Sequence, residues 1–457
     1  MKKVLRNNRS KGRKVQNKGA ISIVAVFVGT FFLTITIGAL VLAGMAYGGN
    51  DDSDGSETSE EPVKRITFSE KITDSDGDQA ADGEDTLDAG DADLEAETGV
   101  DAGEENSEDA SVSEGEITDD TVEGETYISG AKWEYSIQTA NPDCMRLAFA
   151  GDILFDPGYA IMNSIRQKGG VEGVFGSGLL ADMRNADVMV VNNEFPYSNR
   201  GVPTEGKTFT FRADPSSANL LNDMGVDVAT IANNHTYDYG ESALLDTLDA
   251  LDNAGVARIG AGANIEEASN PVYYNAENGL KVAIIAATEI ERLDNPDTKG
   301  ATENSPGVFR CLDISRLQSR IREAKAEGAF VIVCIHWGTE NQEEIDWWQQ
   351  KQGPEIVEAG ADLIVGGHPH ILQKIGYIGS VPVVYSLGNY LFNSKTLDTG
   401  LLQVEVHNDH SMNLRFVPAI QSGCTVYEAT DVEKARILQH LRDISPGVSI
   451  DEDGNIQ

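Results

Sequence analysis

The feature that most constrains this chain is the run from Ala20 to Tyr47, 28 residues without a single charged side chain. It is almost wholly apolar, with Gly, Ser and Thr interspersed. A helix of that length, at 1.5 Å rise per residue, exceeds the roughly 30 Å hydrocarbon core of a bilayer. The run therefore predicts one membrane-spanning helix over residues 20–47. Residues 1–19 hold eight Lys or Arg and no acid, which puts this basic segment in the cytoplasm and everything after Tyr47 outside. A cleaved signal peptide is the competing reading, because Gly44-Met45-Ala46 offers small residues for cleavage. The apolar core of such a peptide runs only about 7–15 residues, so the uncleaved anchor is preferred.

Residues 48–126 follow as an acidic linker. Within residues 51–126 stand 29 Asp or Glu against three basic residues. Such a stretch buries too little apolar surface to offset its ordering entropy, and its charges repel one another. It is expected to be a disordered stalk that holds the remaining domain off the membrane. The whole chain carries −39, the first segment +8 and the acidic run −26, which leaves −21 for residues 127–457. A nucleic-acid partner needs a basic face, and this body excludes one.

From residue 127 onward, short apolar runs alternate with helical patterns. Arg146–Ala150, Val188–Val191, Val226–Ala232, Lys281–Ala286, Phe330–Ile335, Asp362–Val365 and Val381–Tyr385 read as strands. Ser242–Ala254, Ile314–Ala326 and Glu344–Ala359 read as amphipathic helices. The alternation predicts a layered α/β fold with buried central strands. Beyond Gly400, Leu401–Val406 and Leu414–Pro418 are expected to be edge strands of a second sheet. Cys144, Cys311, Cys334 and Cys424 are too scattered for a disulfide framework or a Cys-based zinc site.

Five predicted strands lead directly into polar residues. Asp152 follows Ala150-Gly151, and Glu194 follows Val190-Val191-Asn192-Asn193. Asn234 and His235 follow Thr230-Ile231-Ala232-Asn233. His336 follows Val333-Cys334-Ile335 with Glu340 just beyond, and His368 and His370 follow Gly366-Gly367. In open α/β sheets the carboxyl ends of the strands face the crevice where ligands bind. Carboxylate, amide oxygen and imidazole suit hard or borderline divalent ions: Mn, Fe, Zn or Mg. Each motif alone has an ordinary reading as a turn, a cap or a satisfied core histidine. Their number and order favour a metal site. His407, His410 and His440 fall outside the pattern and are read as structural or solvent-facing. Trp337, Trp347 and Trp348 flank the His336 motif, and packing is their expected role.

The runs Phe149-Ala150-Gly151-Asp152-Ile153, Asn193-Glu194, Ala232–Gly240, His336-Trp337-Gly338-Thr339-Glu340, Gly367–Gln373 and Tyr385-Ser386-Leu387-Gly388-Asn389 carry a resemblance over residues 145–420. This stretch resembles the CapA-type poly-γ-glutamate capsule-biosynthesis proteins, which are similar to calcineurin-like metallophosphoesterases. The resemblance implies an α/β fold, a four-layer α/β/β/α sandwich with one or two divalent ions at one end of the sheets. It implies Asp152 and Glu194 as carboxylate ligands, with Glu194 bridging, Asn234 as an amide ligand, and His336, His368 and His370 as imidazole ligands. His235 would protonate a leaving oxygen, and Asp238 and Glu340 would orient imidazoles. Metallophosphoesterases of this type open on Asp-x-His, whereas Asp152-Ile153-Leu154 puts a leucine where the histidine belongs, so one subsite loses a ligand. Two functions follow. One is a metal-dependent hydrolase or transferase acting at the cell surface. The other is a non-catalytic polymer-binding or export-accessory subunit. The partners implied are the cell membrane, an anionic surface polymer and other capsule-synthesis membrane subunits.

Overall fold

The computed structural model describes residues 125–127, 134–290 and 298–457. The basic segment 1–19, the expected membrane span 20–47 and linker residues 48–124 lie outside the described residues. Among the described residues, no helix is long and apolar enough to cross a membrane. Linker residues Glu125 and Thr126 belong to a strand, Glu125–Tyr127, paired antiparallel with Glu134–Ile137. Pairing thus begins slightly before the expected boundary.

Two sheets carry the body. The first runs in the order Glu125–Tyr127, Glu134–Ile137, Val272–Ala276, Lys281–Thr288, Phe330–His336, Leu363–Gly367, Val381–Val384, Ile375–Ile378. Its four strands from Lys281–Thr288 to Val381–Val384 are parallel. The second runs Thr425–Glu428, Met412–Ser422, Leu397–His407, Cys144–Ile153, Val188–Asn193, Val228–Thr230, Ala257–Ile259, the last four parallel. A short strand, Asn389–Leu391, also lies parallel to the end of Cys144–Ile153.

Strand alternation sorts the side chains into three cores. Leu147, Phe149, Val188 and Val190 face Val282, Ile284, Phe330 and Ile332 in a core shared by both sheets. The residues between them, Ala148, Ala150, Met189 and Val191, face Ile161, Leu179, Leu221, Leu244 and Leu248. Those residues come from the helices Ala160–Gln167, Ser177–Arg184, Asn219–Met224 and Glu241–Ala254. On the first sheet, Ala283, Ile285, Val331 and Val333 face Leu317, Ile321 and Ile356, from the helices Ser315–Ala326 and Trp347–Ala359. A residue period of two on each strand thus separates helix, sheet, sheet and helix layers. The last helix, Asp431–Ile444, instead inserts Ile437, Leu438 and Leu441 into the shared core.

Three local expectations change. Leu397–His407 and Met412–Ser422 form a long hairpin, and the first of them pairs with Cys144–Ile153 along Leu402–His407. They are interior strands, because each is paired on both sides, and their Leu402, Val404, Leu414 and Phe416 supply the shared core. The helix expected from Glu344 starts at Trp347, where Asp346 and Gln349 form a reciprocal capping box. The strand expected over Val226–Ala232 is only Val228–Thr230 long. All four cysteines are reduced and buried.

The strand Glu134–Ile137, second from the edge, contributes a buried Ile137, and its Tyr135 stacks on Tyr274 at 5.2 Å. A chain that begins at residue 125 keeps these contacts, whereas one that begins at residue 138 loses them. Urea unfolding of the shorter chain is expected to show a stability lower by about 2–4 kcal/mol. Equal stabilities would mean that this edge is dispensable.

Candidate metal centre

The carboxyl ends of the parallel strands of both sheets meet at one place. Asp152, at the end of Cys144–Ile153, is fully buried and stands in register with Asn192 on one side and Asn389 on the other. Gly151 permits that approach: a Cβ there would lie 1.8 Å from the Gly388 carbonyl oxygen. The Asp152 amide instead donates to that oxygen at 3.0 Å. Glu194 follows Val188–Asn193, His336 ends Phe330–His336, and His368 and His370 follow Leu363–Gly367. His368 and His370 both have positive φ, 97° and 60°, on either side of Pro369. Non-glycine residues held there cost of order 1–3 kcal/mol each and cluster at functional sites.

The ligand-type atoms converge. His336 Nε2 lies 2.8 Å from Asn234 Oδ1, 3.1 Å from His368 Nδ1 and 3.7 Å from Glu194 Oε1. His370 Nδ1 lies 3.0 Å from Asp152 Oδ2, and His370 Nε2 lies 3.9 Å from Glu194 Oε1. Three overlapping sets each bring one ligand atom per residue within 4.8 Å of the others: Glu194 with His336 and His368, Asp152 with Glu194 and His370, and Glu340 with His368 and His370. Lone pairs of imidazole, amide and carboxylate crowd one another here. Glu194 Oε1 is buried and has no hydrogen-bond partner.

Charge and burial work against each other in this cluster. Burial, with the charges of Asp152 and Glu340 nearby, pushes the Glu194 carboxyl well above the usual carboxylate range. Burial and the neighbouring rings hold His336 and His368 well below the usual imidazole value, so both are neutral near pH 7. Burial opposes charge at His370 too, yet its hydrogen bond to Asp152 and that carboxylate's charge leave it above its ordinary value. Neutral imidazoles, two buried carboxylates and an orphaned carboxylate oxygen are what a divalent cation requires of its ligands. The residues fit the group that the sequence implies.

Residues 146–394 match the family described as bacterial capsule synthesis protein PGA_cap. The chain belongs to this family. Among curated relatives, the PGA biosynthesis protein CapA of Bacillus subtilis is 29% identical over 306 residues, covering 64% of this chain and 75% of that one. The capsule biosynthesis protein CapA of Bacillus anthracis is 29% identical over 276 residues, covering 58% of this chain and 66% of that one. The CapA-type resemblance read from the motifs is therefore borne out.

Around this capsule-family cluster, the sequence-derived residues fall into distinct positions. Asp152, Glu194, Asn234, His336, His368 and His370 all meet in it, and Glu340 reaches it from an exposed loop. Leu154 is buried in the helix-side core. His235 is buried, with Nε2 3.9 Å from Glu194 Oε1 and Nδ1 2.7 Å from Asp238 Oδ2. Asp238 is itself a junction. It receives the Lys207 ammonium at 2.6 Å and the Phe211 amide at 2.7 Å, and Lys207 also reaches the Asn234 carbonyl. His407, His410 and His440 lie elsewhere: His407 beside Asn413, His410 in a turn against Phe330, and His440 beside Glu343. Trp337 is core, and Trp347 is exposed.

Three site residues escaped the sequence reading. Asn192 donates to Asp152 Oδ1 at 2.7 Å and approaches Glu194 Oε2 and His336 Nδ1 at 3.3 Å each. Asn389 meets His370 Nδ1 at 2.9 Å. Both stood inside quoted motifs, and the strand-end position was the signal that could have found them. Lys207 had no such signal, since it reaches Asp238 from a long loop.

Two outcomes test this electrostatic arrangement. Lys207→Met leaves the buried Asp238 carboxylate without its cation and should cost about 3–5 kcal/mol in urea unfolding. Adding Asp238→Asn should recover part of the loss, and a silent single mutant would show that the pair holds nothing. The second outcome concerns Glu194, whose pKa in the folded chain lies above its unfolded value of about 4.3. A raised carboxyl disfavours folding as pH climbs past that unfolded value. In EDTA, Glu194→Gln should therefore be more stable than wild type at pH 8, by about 1–3 kcal/mol. The gain should vanish below about pH 4, where both states of the wild type are protonated. With saturating Mn²⁺ the order should reverse, because only the wild type gains binding energy.

Proposed function

We propose that this chain is a single-pass membrane protein whose extracytoplasmic domain handles poly-γ-glutamate, or a similar anionic surface polymer, through a metal-dependent hydrolase-like site. Anchoring is supported by the uncharged run 20–47 behind a basic segment, and the polymer by the names of the two Bacillus relatives. The observation that carries the site is Glu194 Oε1, buried without a donor among the imidazole and amide groups of His336, His368 and Asn234.

Asp152, Glu194, Asn234, His336, His368 and His370 would hold one or two divalent ions. When bound, such an ion polarises a phosphoryl or carbonyl oxygen and lowers the pKa of bound water. Asn192 orients both carboxylates through its amide, and Asn389 and Asp152 set the His370 ring. His235 is positioned for proton transfer. Burial outweighs the pull of Asp238, keeping its pKa below the ordinary imidazole value. The resting ring is then neutral, with Nδ1–H held by Asp238 and the Nε2 lone pair on the Glu194 side. To protonate a leaving oxygen, the ring would first take up a proton at Nε2 from the water consumed in the hydrolysis.

Metal analysis of the purified protein, paired with phosphodiesterase and polyglutamate turnover assays, tests this reading. His235→Ala should keep metal content and polymer affinity while turnover falls about 10²–10⁴-fold. His368→Ala with His370→Ala should lose most of the metal, and His407→Ala with His410→Ala should lose none. A chain that binds polymer but never turns it over, with or without His235, would be a binding subunit. Equal metal in the two double mutants would sink the site.

A further inference from the structure

We infer that Arg212 is a specificity-determining residue that grips an oxyanion of the substrate at the rim of this site, an assignment that rests on the polymer-handling function proposed above. The loop between Tyr197 and Ala213 is closed at its base. Ser198 N–H donates to the Ala213 carbonyl, and Ala213 N–H donates to the Pro196 carbonyl, each at 2.9 Å. Asp238 fastens its body through Lys207 and the Phe211 amide. Phe211 lays its ring 4.3 Å, centroid to centroid, from His235. The next side chain, Arg212, sets its guanidinium 4.5 Å from the ring centroid of Tyr239, four residues after His235. Tyr159 packs edge-on against Phe211 at 5.3 Å, so a continuous wall runs from the buried His235 to half-buried Arg212.

Nothing acidic answers that guanidinium. Among the described residues, no carboxylate forms an ion pair with Arg212, in a body whose net charge is −21. The flanking acids Asp156 and Asp214 are engaged by other donors. Asp156 accepts the Arg212 backbone N–H at 2.7 Å on one oxygen and the Gly158 N–H at 2.6 Å on the other. Asp214 accepts from Asn199 at 3.0 Å and from the Ser216 amide at 2.9 Å. The other cations of the loop are engaged: Lys207 with Asp238 and the Asn234 carbonyl, and Arg200 with Asp246. A guanidinium matches a carboxylate or phosphoryl group through two parallel hydrogen bonds, and its aromatic support holds the fork in place without consuming its charge. The closed loop pre-organises it, which lowers the ordering cost of binding. In an otherwise repulsive domain, a cation fixed beside the site selects an anionic substrate and sets which of its groups faces His235.

The test is binding by the full-length protein in detergent, loaded with Mn²⁺, with γ-linked glutamate oligomers as one probe and inorganic phosphate as the other. Arg212→Gln should weaken oligomer binding about 10–100-fold, as expected for loss of a hydrogen-bonded charge pair, with metal content and thermal unfolding unchanged. Arg212→Lys should recover only part, because an ammonium lacks the fork. Arg166→Gln, an exposed helix arginine, should change nothing. Weakening confined to the oligomer identifies a polymer carboxylate as the group held, and weakening confined to phosphate identifies a phosphoryl group. Wild-type binding matched within twofold by Arg212→Gln overturns the inference alone. So does a loss of affinity that merely tracks lost metal or lost stability. A wild type that binds neither probe overturns the proposed function and the inference together.

Discussion

Packing between the two sheets governs everything at the site. Phe149, Val190 and Leu402 from one sheet interlock with Val282, Ile284, Phe330 and Ile332 from the other. That shared core fixes the sheets against each other, and only then do the strand ends carrying Asp152 and Glu194 face those carrying His336, His368 and His370. The contacts that assemble the site join residues far apart in sequence. Asn234 and His336, bonded at 2.8 Å, stand 102 residues apart. The cluster is therefore only as precise as the apolar core beneath it.

The same cluster is a local liability. An orphaned carboxylate oxygen, facing imidazole nitrogens and two strained histidine backbones each oppose folding. The surroundings supply compensation through donors to the parts that would otherwise be worst placed. Asn192 donates to Asp152 and Glu194, and Lys207 and Phe211 donate to Asp238. What remains uncompensated is a set of lone pairs that a cation would satisfy at once. Asp238 also ties the turn that carries Asn234 and His235 to the loop that bears Arg212, so ordering in one is felt by the other.

Much of this was legible in the sequence because it rests on periodicity. Buried strands such as Phe330–His336 announce themselves as apolar runs, and a polar residue at the end of such a run can only emerge at the sheet's edge. Asp152, Glu194, His336 and His368 followed from that rule. Leu397–His407 and Met412–Ser422 were visible as strands, but their place inside the sheet was not, since strand order is decided by long-range pairing. Asn192 reads as an ordinary strand residue until its partners are known. Lys207 was invisible for a plainer reason: a loop closes by backbone bonds at its base, and no period in the chain marks where its tip will land. The expected anchor and the greater part of the expected acidic linker lie outside the described residues and rest on composition alone.

The positive φ angles of His368 and His370 bear on how such a protein can decay. Glycine would occupy either position with less strain than histidine, and it would take the imidazole away. At these two places the backbone and the chemistry pull in opposite directions, so losing the site is a step toward a more comfortable fold. A lineage that no longer needed the site would relieve backbone strain by shedding these histidines, and drift should erase them early. Their presence in a chain of this family is thus a more sensitive sign of a site in current use than the buried Asp152, whose carboxylate accepts the Asn192 amide.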